Sequence, residues 1–162
     1  MVIGVTGHQR LREERDWIWV EEAIHAVLHR VPPPLVGLSS LAIGADQLFA
    51  RLILQHGGEL RVILPFSKYA ETFTTVKDLA EFRSLLDQAT VVEVLNELPD
   101  RQESYLAVGQ LMVDLSDQMI AVWNGEAAAG LGGTGDIVRY SQAKQRPVLH
   151  INPETGEINQ IG

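Results

Sequence analysis

The chain has 162 residues, of which 46% are hydrophobic and 21% are charged, and its formal net charge is −8 at pH 7. This composition is typical of one globular domain with an adequate core and excludes a disordered chain. The absence of cysteine excludes disulfides and thiolate metal sites. No apolar run approaches the ~20 residues of a membrane span, and no basic region precedes the first apolar stretch, so we expect a cytoplasmic protein without a membrane segment. The acidic balance argues against a broad electrostatic surface for nucleic acid, which we do not expect as a partner.

Apolar strand-like runs alternate with helical patterns from one end of the chain to the other. In chain order, strands are predicted over residues 2–6, 35–38, 60–64, 89–95, 118–123 and 147–151. Helices are predicted between them over residues 17–31, 46–56, 75–86, 102–115 and 136–144. Thr75 with Asp78, and Asp100 with Glu103, form capping-box patterns at the starts of two of these helices. Most of the segment 66–76 has no clear pattern.

Short strands that alternate with helices predict βαβ units, and right-handed crossovers join such units into a doubly wound sheet. We therefore predict an α/β fold: a single Rossmann-like doubly wound sheet, mainly parallel, with helices on both faces. The domain is expected to cover residues 1–152, with a loose C-terminal tail over 153–162. The helix over 102–115 is apolar almost all round, so we also expect a homo-oligomer, most simply a dimer.

The stretch from Gly130 to Asp136 contains four glycines in seven positions, between a predicted strand and a predicted helix. Glycine lets another group approach the backbone closely, and the helix that follows directs unpaired N–H groups and its positive dipole end at the loop. An anion, most often a phosphate, fits such a loop, whereas the alternative interpretation is a flexible surface loop. The spacing Gly130-x-Gly132-x-x-Gly135 also satisfies the dinucleotide fingerprint. It follows the fifth strand instead of the first, so we do not expect an NAD site.

Ligands of a doubly wound sheet bind beyond the carboxyl ends of its strands, where this chain has small and polar residues. The predicted ligand- and phosphate-binding residues are Gly7, His8, Arg10, Ser39, Gly44, Asp46, Trp123, Gly132, Gly133, Thr134, Gly135 and Asp136. Asp46, at a helix start, either stabilises the helix dipole, holds a ribose hydroxyl or acts as a catalytic carboxylate. Arg10 either makes a forked contact to a phosphate or is a solvated turn residue. We expect no metal site, because His25 and His29 share a helix face without an evident third ligand.

Five segments carry a resemblance to a known family, and they are 4–8, 44–48, 63–66, 121–125 and 132–136. Together they resemble the SLOG superfamily, which includes the Lonely guy phosphoribohydrolases and the Rossmann domain of DNA-processing protein A. The resemblance covers residues 2–151. It implies a Rossmann-like domain that binds a nucleotide or nucleotide-derived ligand, with the phosphate on the glycine loop. Some members hydrolyse the N-glycosidic bond of nucleoside monophosphates, and others are thought to sense nucleotide-type signals.

The hydrolase motif of this superfamily, Pro-Gly-Gly-x-Gly-Thr-x-x-Glu, is only partly present. Its glycines correspond to Gly132, Gly133 and Gly135. Leu131 replaces the proline, Asp136 replaces the threonine and Arg139 replaces the catalytic glutamate. An arginine, being cationic at all accessible pH, cannot supply a carboxylate's acid–base chemistry.

These observations predict a protein that binds a nucleotide or phosphoribosyl ligand through the glycine loop, for example as a sensor, with no required cofactor. The alternative is an N-glycosidic hydrolase or a nucleoside or phosphoribosyl transferase. Such an enzyme would use Asp46, Glu126 or Asp136, because carboxylates suit an oxocarbenium-like transition state. Asp46 and Asp136 are the candidate catalytic residues.

Overall fold

The structure is a computed structural model that describes residues 1–127 and 130–162. Its strands are β1 Val2–Gly7, β2 Val36–Ser39, β3 Glu59–Leu64, β4 Val91–Val94, β5 Gln118–Val122, β6 Val148–Ile151 and β7 Ile158–Ile161. Its α-helices are α1 Asp16–His29, α2 Ala45–Gln55, α3 Val76–Gln88, α4 Arg101–Leu115 and α5 Thr134–Ala143, and a short 3₁₀ helix covers Tyr69–Thr72. All six predicted strands and five predicted helices are present, with ends shifted by a few residues. β7 and the 3₁₀ helix were not predicted.

The seven strands form one sheet in the order β4-β3-β2-β1-β5-β6-β7. Each neighbouring pair is parallel except β6 with β7, which is antiparallel. From β1 the chain builds outwards through β2, β3 and β4 on one side and then crosses to β5 on the other side. This is a doubly wound sheet, as predicted, and its strand order reverses between β1 and β5, where such sheets bind ligands.

Helices cover both faces of the sheet, and the alternation of side chains along β5 shows how. Ile120 and Val122 pack into a core with residues of α1, α2 and α3. Met119 and Ala121 point to the other face and pack with residues of α4 and α5. Because successive residues of a strand point to opposite faces, one short apolar run contributes to both cores. The predicted arrangement of helices on both faces is confirmed.

Two helices begin at the residues where capping patterns were predicted. The Thr75 hydroxyl accepts a hydrogen bond from the Asp78 N–H at 3.0 Å at the start of α3. The Asp100 carboxylate accepts one from the Gln102 N–H at 2.8 Å at the start of α4. These bonds satisfy amides that have no partner within the helix. Within the described parts of the chain, none of the helices combines the length and apolar character needed to span a bilayer.

One side of α4 is covered within the chain itself. Its buried residues include Val108, Gly109 and Val113, which face the sheet and α5. A Cβ at Gly109 would lie 2.3 Å from Cδ1 of Ile137, so the two helices approach closely. Leu115, at the end of α4, is 50% exposed, and the homo-oligomer stays a prediction.

The last ten residues differ from the loose tail that was predicted. β7 pairs with β6 in a hairpin, with Ile151 opposite Ile158. The side chain of Asn152 accepts hydrogen bonds from the N–H groups of Glu154 and Thr155, and Gly156 adopts a φ of +74°. Asn and Gly are the residues that such turns favour. The segment therefore forms an edge strand of the sheet.

The loop after β1 and the start of α2 are in direct backbone contact. Gly44 has a φ of +84°, and a Cβ there would lie 2.5 Å from the carbonyl oxygens of His8 and Gln9. The Ala45 N–H donates a hydrogen bond to the His8 carbonyl oxygen at 3.1 Å. Glycine alone suits both the positive φ and the close approach. Gly44 therefore sets the distance between α2 and the end of β1.

We expect Gly44→Ala to destabilise the protein more than the matched variant Gly57→Ala. Gly57 has a φ of +70°, and a positive φ costs an alanine roughly 1–2 kcal/mol there, whereas Gly44, at φ +84° and ψ −125°, lies outside the left-handed helical region in a conformation that favours glycine still more strongly. A Cβ at Gly57 meets no described atom within 4 Å, whereas overlap at Gly44 adds about 1–3 kcal/mol. Urea denaturation measures both losses, and equal losses would contradict the close approach.

Candidate functional site

A cavity of about 720 Å³ lies beyond the carboxyl ends of β1 and β5. Its walls come from the loops after β1, β2 and β5, from the 3₁₀ helix after β3, and from the middle of α4. Pockets for small molecules and cofactors usually measure ~300–1,000 Å³ and occur at this position in doubly wound sheets. The cavity therefore has the size and the location of a small-molecule site.

Nine of the twelve predicted ligand residues line this cavity. They are Gly7, His8, Arg10, Asp46, Trp123, Gly132, Gly133, Thr134 and Gly135. The other three, Ser39, Gly44 and Asp136, do not line it. Gly44 sets the distance between α2 and β1. The Ser39 hydroxyl donates to the Asp46 carbonyl oxygen at 3.1 Å and accepts from the Leu41 N–H at 3.0 Å. Ser39 and Gly44 thus position the wall that carries the Asp46 side chain.

The glycine loop leads into the first turn of α5, which forms one wall of the cavity. Gly133 is the N-cap residue, and no side chain accepts a hydrogen bond from this helix start at the cap position. The N–H groups of Thr134 and Gly135 lie in the first turn, where an α-helix offers them no internal acceptor. Together with the positive end of the helix dipole, these amides have the electrostatic character that suits an anion.

Asp136 lies outside the cavity and holds the glycine loop together. Its Oδ2 accepts a hydrogen bond from the Gly132 N–H at 3.0 Å, and its Oδ1 pairs with the Arg139 guanidinium. The N–H of Leu131 donates to Oε1 of Gln102 on α4 at 3.3 Å. The N–H groups of Leu131 and Gly132 therefore already have hydrogen-bond acceptors, and the Asp136 carboxylate is paired with the Arg139 guanidinium. This placement is that of a loop-holding residue and gives no geometric support to the predicted catalytic role of Asp136.

Asp46 lies on the opposite wall of the cavity, at the start of α2. Its side chain is buried, at 7% exposure, and Oδ2 accepts a hydrogen bond from the Ser40 N–H at 3.3 Å. Burial raises the pKa of the Asp46 carboxyl from 3.8 to about 7, although hydrogen bonds from the backbone of Ser40 and Ala42 oppose this rise. A buried carboxyl that exchanges its proton near neutrality can donate as well as accept hydrogen bonds.

The structure adds two aromatic residues that the sequence analysis missed, Tyr69 and Tyr105. Tyr69, on the 3₁₀ helix, is 6% exposed, lines the cavity and has its pKa raised by burial and by the nearby Asp46. Tyr105, near the start of α4, lines the cavity from the other side. Tyr69 falls in the segment without a pattern, and its position shortly after a strand end was the available signal. No signal in the sequence shows that α4 packs over the switch point.

His8 joins the ends of β1 and β5. Its Nε2 accepts a hydrogen bond from the Asn124 N–H at 3.1 Å, so the other ring nitrogen carries the proton of the neutral imidazole. His8 and Arg10 also line a second cavity of about 190 Å³, together with Arg12 and Glu154. The two cavities therefore share a wall at the end of β1.

The other histidines that the sequence analysis considered lie on α1, and the structure brings a third one to them. Nε2 of His56 lies 2.9 Å from Nδ1 of His25, and the His29 and His56 ring centroids are 6.4 Å apart. Partial burial and the neighbouring histidines lower the pKa of His56. In the described residues, no group of three His, Cys, Asp or Glu side chains is arranged to hold a metal ion.

Asp46→Asn is expected to remove a pH dependence of stability. Below pH ~4 the carboxyl is neutral in both states, and as the pH rises the unfolded chain loses the proton first. The stability that the neutral group contributes is therefore lost progressively as the pH rises through about 7. The two pKa values correspond to roughly 4 kcal/mol of unfolding free energy between pH 4 and pH 8. Urea denaturation of wild type and Asp46→Asn across this range measures the free energy of unfolding at each pH. If the two proteins show the same dependence of this free energy on pH, the burial of the Asp46 carboxyl is contradicted.

No protein-family model and no curated protein matches this sequence. Several solved structures resemble it in fold, and three of them are the following. DNA processing protein A from Streptococcus pneumoniae has a TM-score of 0.65 at 20% identity, over 93% of this chain and 50% of its own. DNA processing protein A from Helicobacter pylori has a TM-score of 0.67 at 16% identity, over 98% of this chain and 68% of its own. The structural genomics target TM1055 has a TM-score of 0.58 at 12% identity, over 91% of this chain and 71% of its own.

One of these findings corrects the prediction about partners. The Helicobacter pylori protein is described by its unique single-stranded DNA binding mode. The prediction that nucleic acid is not a partner rested on net charge alone, and it is wrong to use that balance as an exclusion for this fold. This chain spans half the length of the Streptococcus pneumoniae protein. The comparisons show that the chain has the Rossmann-like fold of DNA processing protein A, the fold that its resemblance to the SLOG superfamily implied.

Proposed function

We propose that this protein binds a nucleotide or nucleotide-derived ligand, with a phosphate on the first turn of α5. The observation that carries the proposal is the shared cavity at the switch point. It joins the uncapped start of α5, at Gly133 to Gly135, with the buried polar residues Asp46 and Tyr69 on other walls. A ligand with one anionic end and one uncharged polar end would satisfy both walls at once.

The charges around the cavity support an anionic ligand in spite of the acidic net charge. The Asp136 carboxylate, close to the start of α5, is paired with Arg139. Asp46 is uncharged for much of its population at neutral pH because burial raises its pKa to about 7. Arg10 lines the cavity with its side chain exposed. The amides of α5 and Arg10 supply the positive part of the local field, and the carboxylates of Asp78 and Glu126, which also line the cavity, supply the negative part.

Nucleoside monophosphates are expected to raise the melting temperature of the protein, whereas the corresponding nucleosides are expected to raise it less. A ligand at 100 times its Kd adds ~2.7 kcal/mol, which corresponds to roughly 5–10 °C for a domain of this size. Gly135→Asp is expected to weaken nucleotide binding at least tenfold, because it adds a negative charge beside the phosphate. The fold should tolerate it, since a Cβ at Gly135 makes its nearest described contact at 3.4 Å and an acidic residue suits a first helical turn.

The matched control is Ser84→Asp, which adds the same charge at an exposed position of α3 outside the cavity lining. It should leave nucleotide binding unchanged within about twofold. Calorimetry with AMP, CMP, GMP and UMP measures the affinities of both variants. Absence of stabilisation by all four nucleotides at millimolar concentration would refute the proposal. Equal losses of nucleotide affinity in the two variants would contradict the placement of the phosphate at α5.

Single-stranded DNA is the second candidate ligand. The favourable observations are the DNA-binding description of the Helicobacter pylori protein with this fold and the two arginines of the smaller cavity, which Asp16 and Glu154 also line. Arg10 lines both cavities, and Arg12 lines the smaller one with a side chain that is 71% exposed. Its partner, Glu154, is 3.9 Å away, so the ion pair is weak and exposed. A strand could place one phosphate at α5 and the next ones along these arginines.

A labelled 20-nucleotide oligothymidine tests this candidate. If Arg10 and Arg12 contact phosphates, the double variant Arg10→Gln/Arg12→Gln should lower the slope of log K against log salt by ~1–2. The control Arg30→Gln/Arg83→Gln removes the same charge from residues that line neither cavity. Fluorescence anisotropy at several salt concentrations gives both slopes. Equal changes in the two double variants would mean that the binding is non-specific.

The catalytic alternative stays a prediction. Of the carboxylates considered for it, Asp46 and Glu126 line the cavity and Asp136 does not. The position of the usual glutamate holds Arg139, whose guanidinium is 61% exposed and pairs with Asp136. Any proton transfer to a leaving base would therefore depend on Asp46 or Glu126.

A further inference from the structure

The Tyr69 hydroxyl is an unused polar group at the buried end of the cavity. The side chain is 6% exposed and lines the cavity, and the described residues offer its hydroxyl no hydrogen-bond partner. Among those residues, Nε of Arg146 is the one fully enclosed side-chain polar atom without a partner. The Tyr69 oxygen must therefore contact the free space of the cavity. Buried tyrosine hydroxyls usually have a partner, which here must come from a ligand or from water.

The Asp46 carboxyl is at the same end of the cavity. Both side chains line it, and the charge of Asp46 raises the pKa of the Tyr69 hydroxyl, as expected for neighbouring groups. Oδ2 of Asp46 is held by the Ser40 N–H, which fixes the direction of the carboxyl. The two groups together offer a donor and acceptor pair to one polar edge of a ligand.

Aromatic rings pack around Tyr69. The Tyr69 ring lies 5.5 Å from the Phe73 ring and 5.8 Å from the Phe66 ring, and the Tyr105 ring lies 5.9 Å from that of Phe66. Phe73 and Tyr105 also line the cavity. Apolar ring faces beside two hydrogen-bonding groups suit a flat heterocycle with apolar faces and a polar edge.

The size of the cavity suits a nucleotide. Asp46 and the glycine loop both line the same cavity of about 720 Å³. A ligand with its phosphate at the start of α5 can therefore extend through this cavity towards Asp46.

We propose that Asp46, Tyr69 and the adjoining rings of Phe73 and Tyr105 form a base subsite, which holds the nucleobase of the ligand by its polar edge. This inference rests on the proposed function and names the part of the ligand that lies away from the phosphate. The Tyr69 hydroxyl and the Asp46 carboxyl bond the edge of the base, and the aromatic rings contact its faces.

Calorimetry with two kinds of probe tests the subsite: the four nucleoside monophosphates AMP, CMP, GMP and UMP, and ribose 5-phosphate, which lacks the base. Tyr69→Phe removes the hydroxyl and keeps the ring. It should weaken binding of the preferred nucleotide about tenfold and leave ribose 5-phosphate unchanged. Tyr140→Phe is the matched control, because it removes a hydroxyl that bonds Asp114 at 3.1 Å outside the cavity. It should change neither affinity.

Asp46→Asn provides a second, nearly isosteric variant if Tyr69→Phe lowers the melting temperature below the assay range. It should weaken the preferred nucleotide and remove any pH dependence of its affinity between pH 6 and pH 8. Wild-type binding of ribose 5-phosphate as tight as that of every nucleotide would overturn the base subsite and leave the phosphate site standing. Equal weakening of both kinds of probe by Tyr69→Phe would also overturn it. Absence of binding by all five probes would instead refute the proposed function.

Discussion

The site depends on a close approach between the end of β1 and the start of α2. A Cβ at Gly7 would lie 2.5 Å from Cβ of Ala45, and one at Gly44 would overlap the carbonyl oxygens of His8 and Gln9. Without side chains at these two glycines, α2 can begin directly against the loop after β1. This contact brings Asp46 next to the crevice between β1 and β5, where α5 supplies its free amides. The cavity exists because three chain segments meet there without intervening side chains.

Two acidic residues near the site are neutralised by different means, and both means favour an anionic guest. The Asp136 carboxylate accepts a hydrogen bond from the Gly132 N–H and forms an ion pair with Arg139. Asp46 is buried, and desolvation raises its pKa to about 7. A chain with a net charge of −8 can therefore reduce the negative charge at two positions around its cavity, although Asp78 and Glu126 also line it. Net charge describes the surface as a whole and is a poor guide to one concave site.

Much of the fold could be predicted from the sequence because the sheet consists of short apolar runs separated by strong helix signals. β7 could not, since its pattern is polar and its pairing depends on the turn that Asn152 begins. For the site, the rule that ligands bind after strand ends selected nine residues that line the cavity. The rule cannot tell which of two successive residues faces the cavity, and so Ser39 was chosen where Ser40 lines it. Tyr69 and Tyr105 depend on the packing of α4 and the 3₁₀ helix, which no local pattern reveals.

The hairpin of β6 and β7 makes the end of the described chain part of the architecture. β7 covers the backbone groups of β6 that would otherwise form the border of the sheet. The turn before it also brings Pro153 and Glu154 to the smaller cavity, where Glu154 is the partner of Arg12. A version shortened after residue 152 would thus expose a parallel strand to pairing with other molecules and would leave a basic side chain without its counter-charge. Residues that look dispensable in the sequence thereby complete the hydrogen bonding of β6 and supply the counter-charge of Arg12.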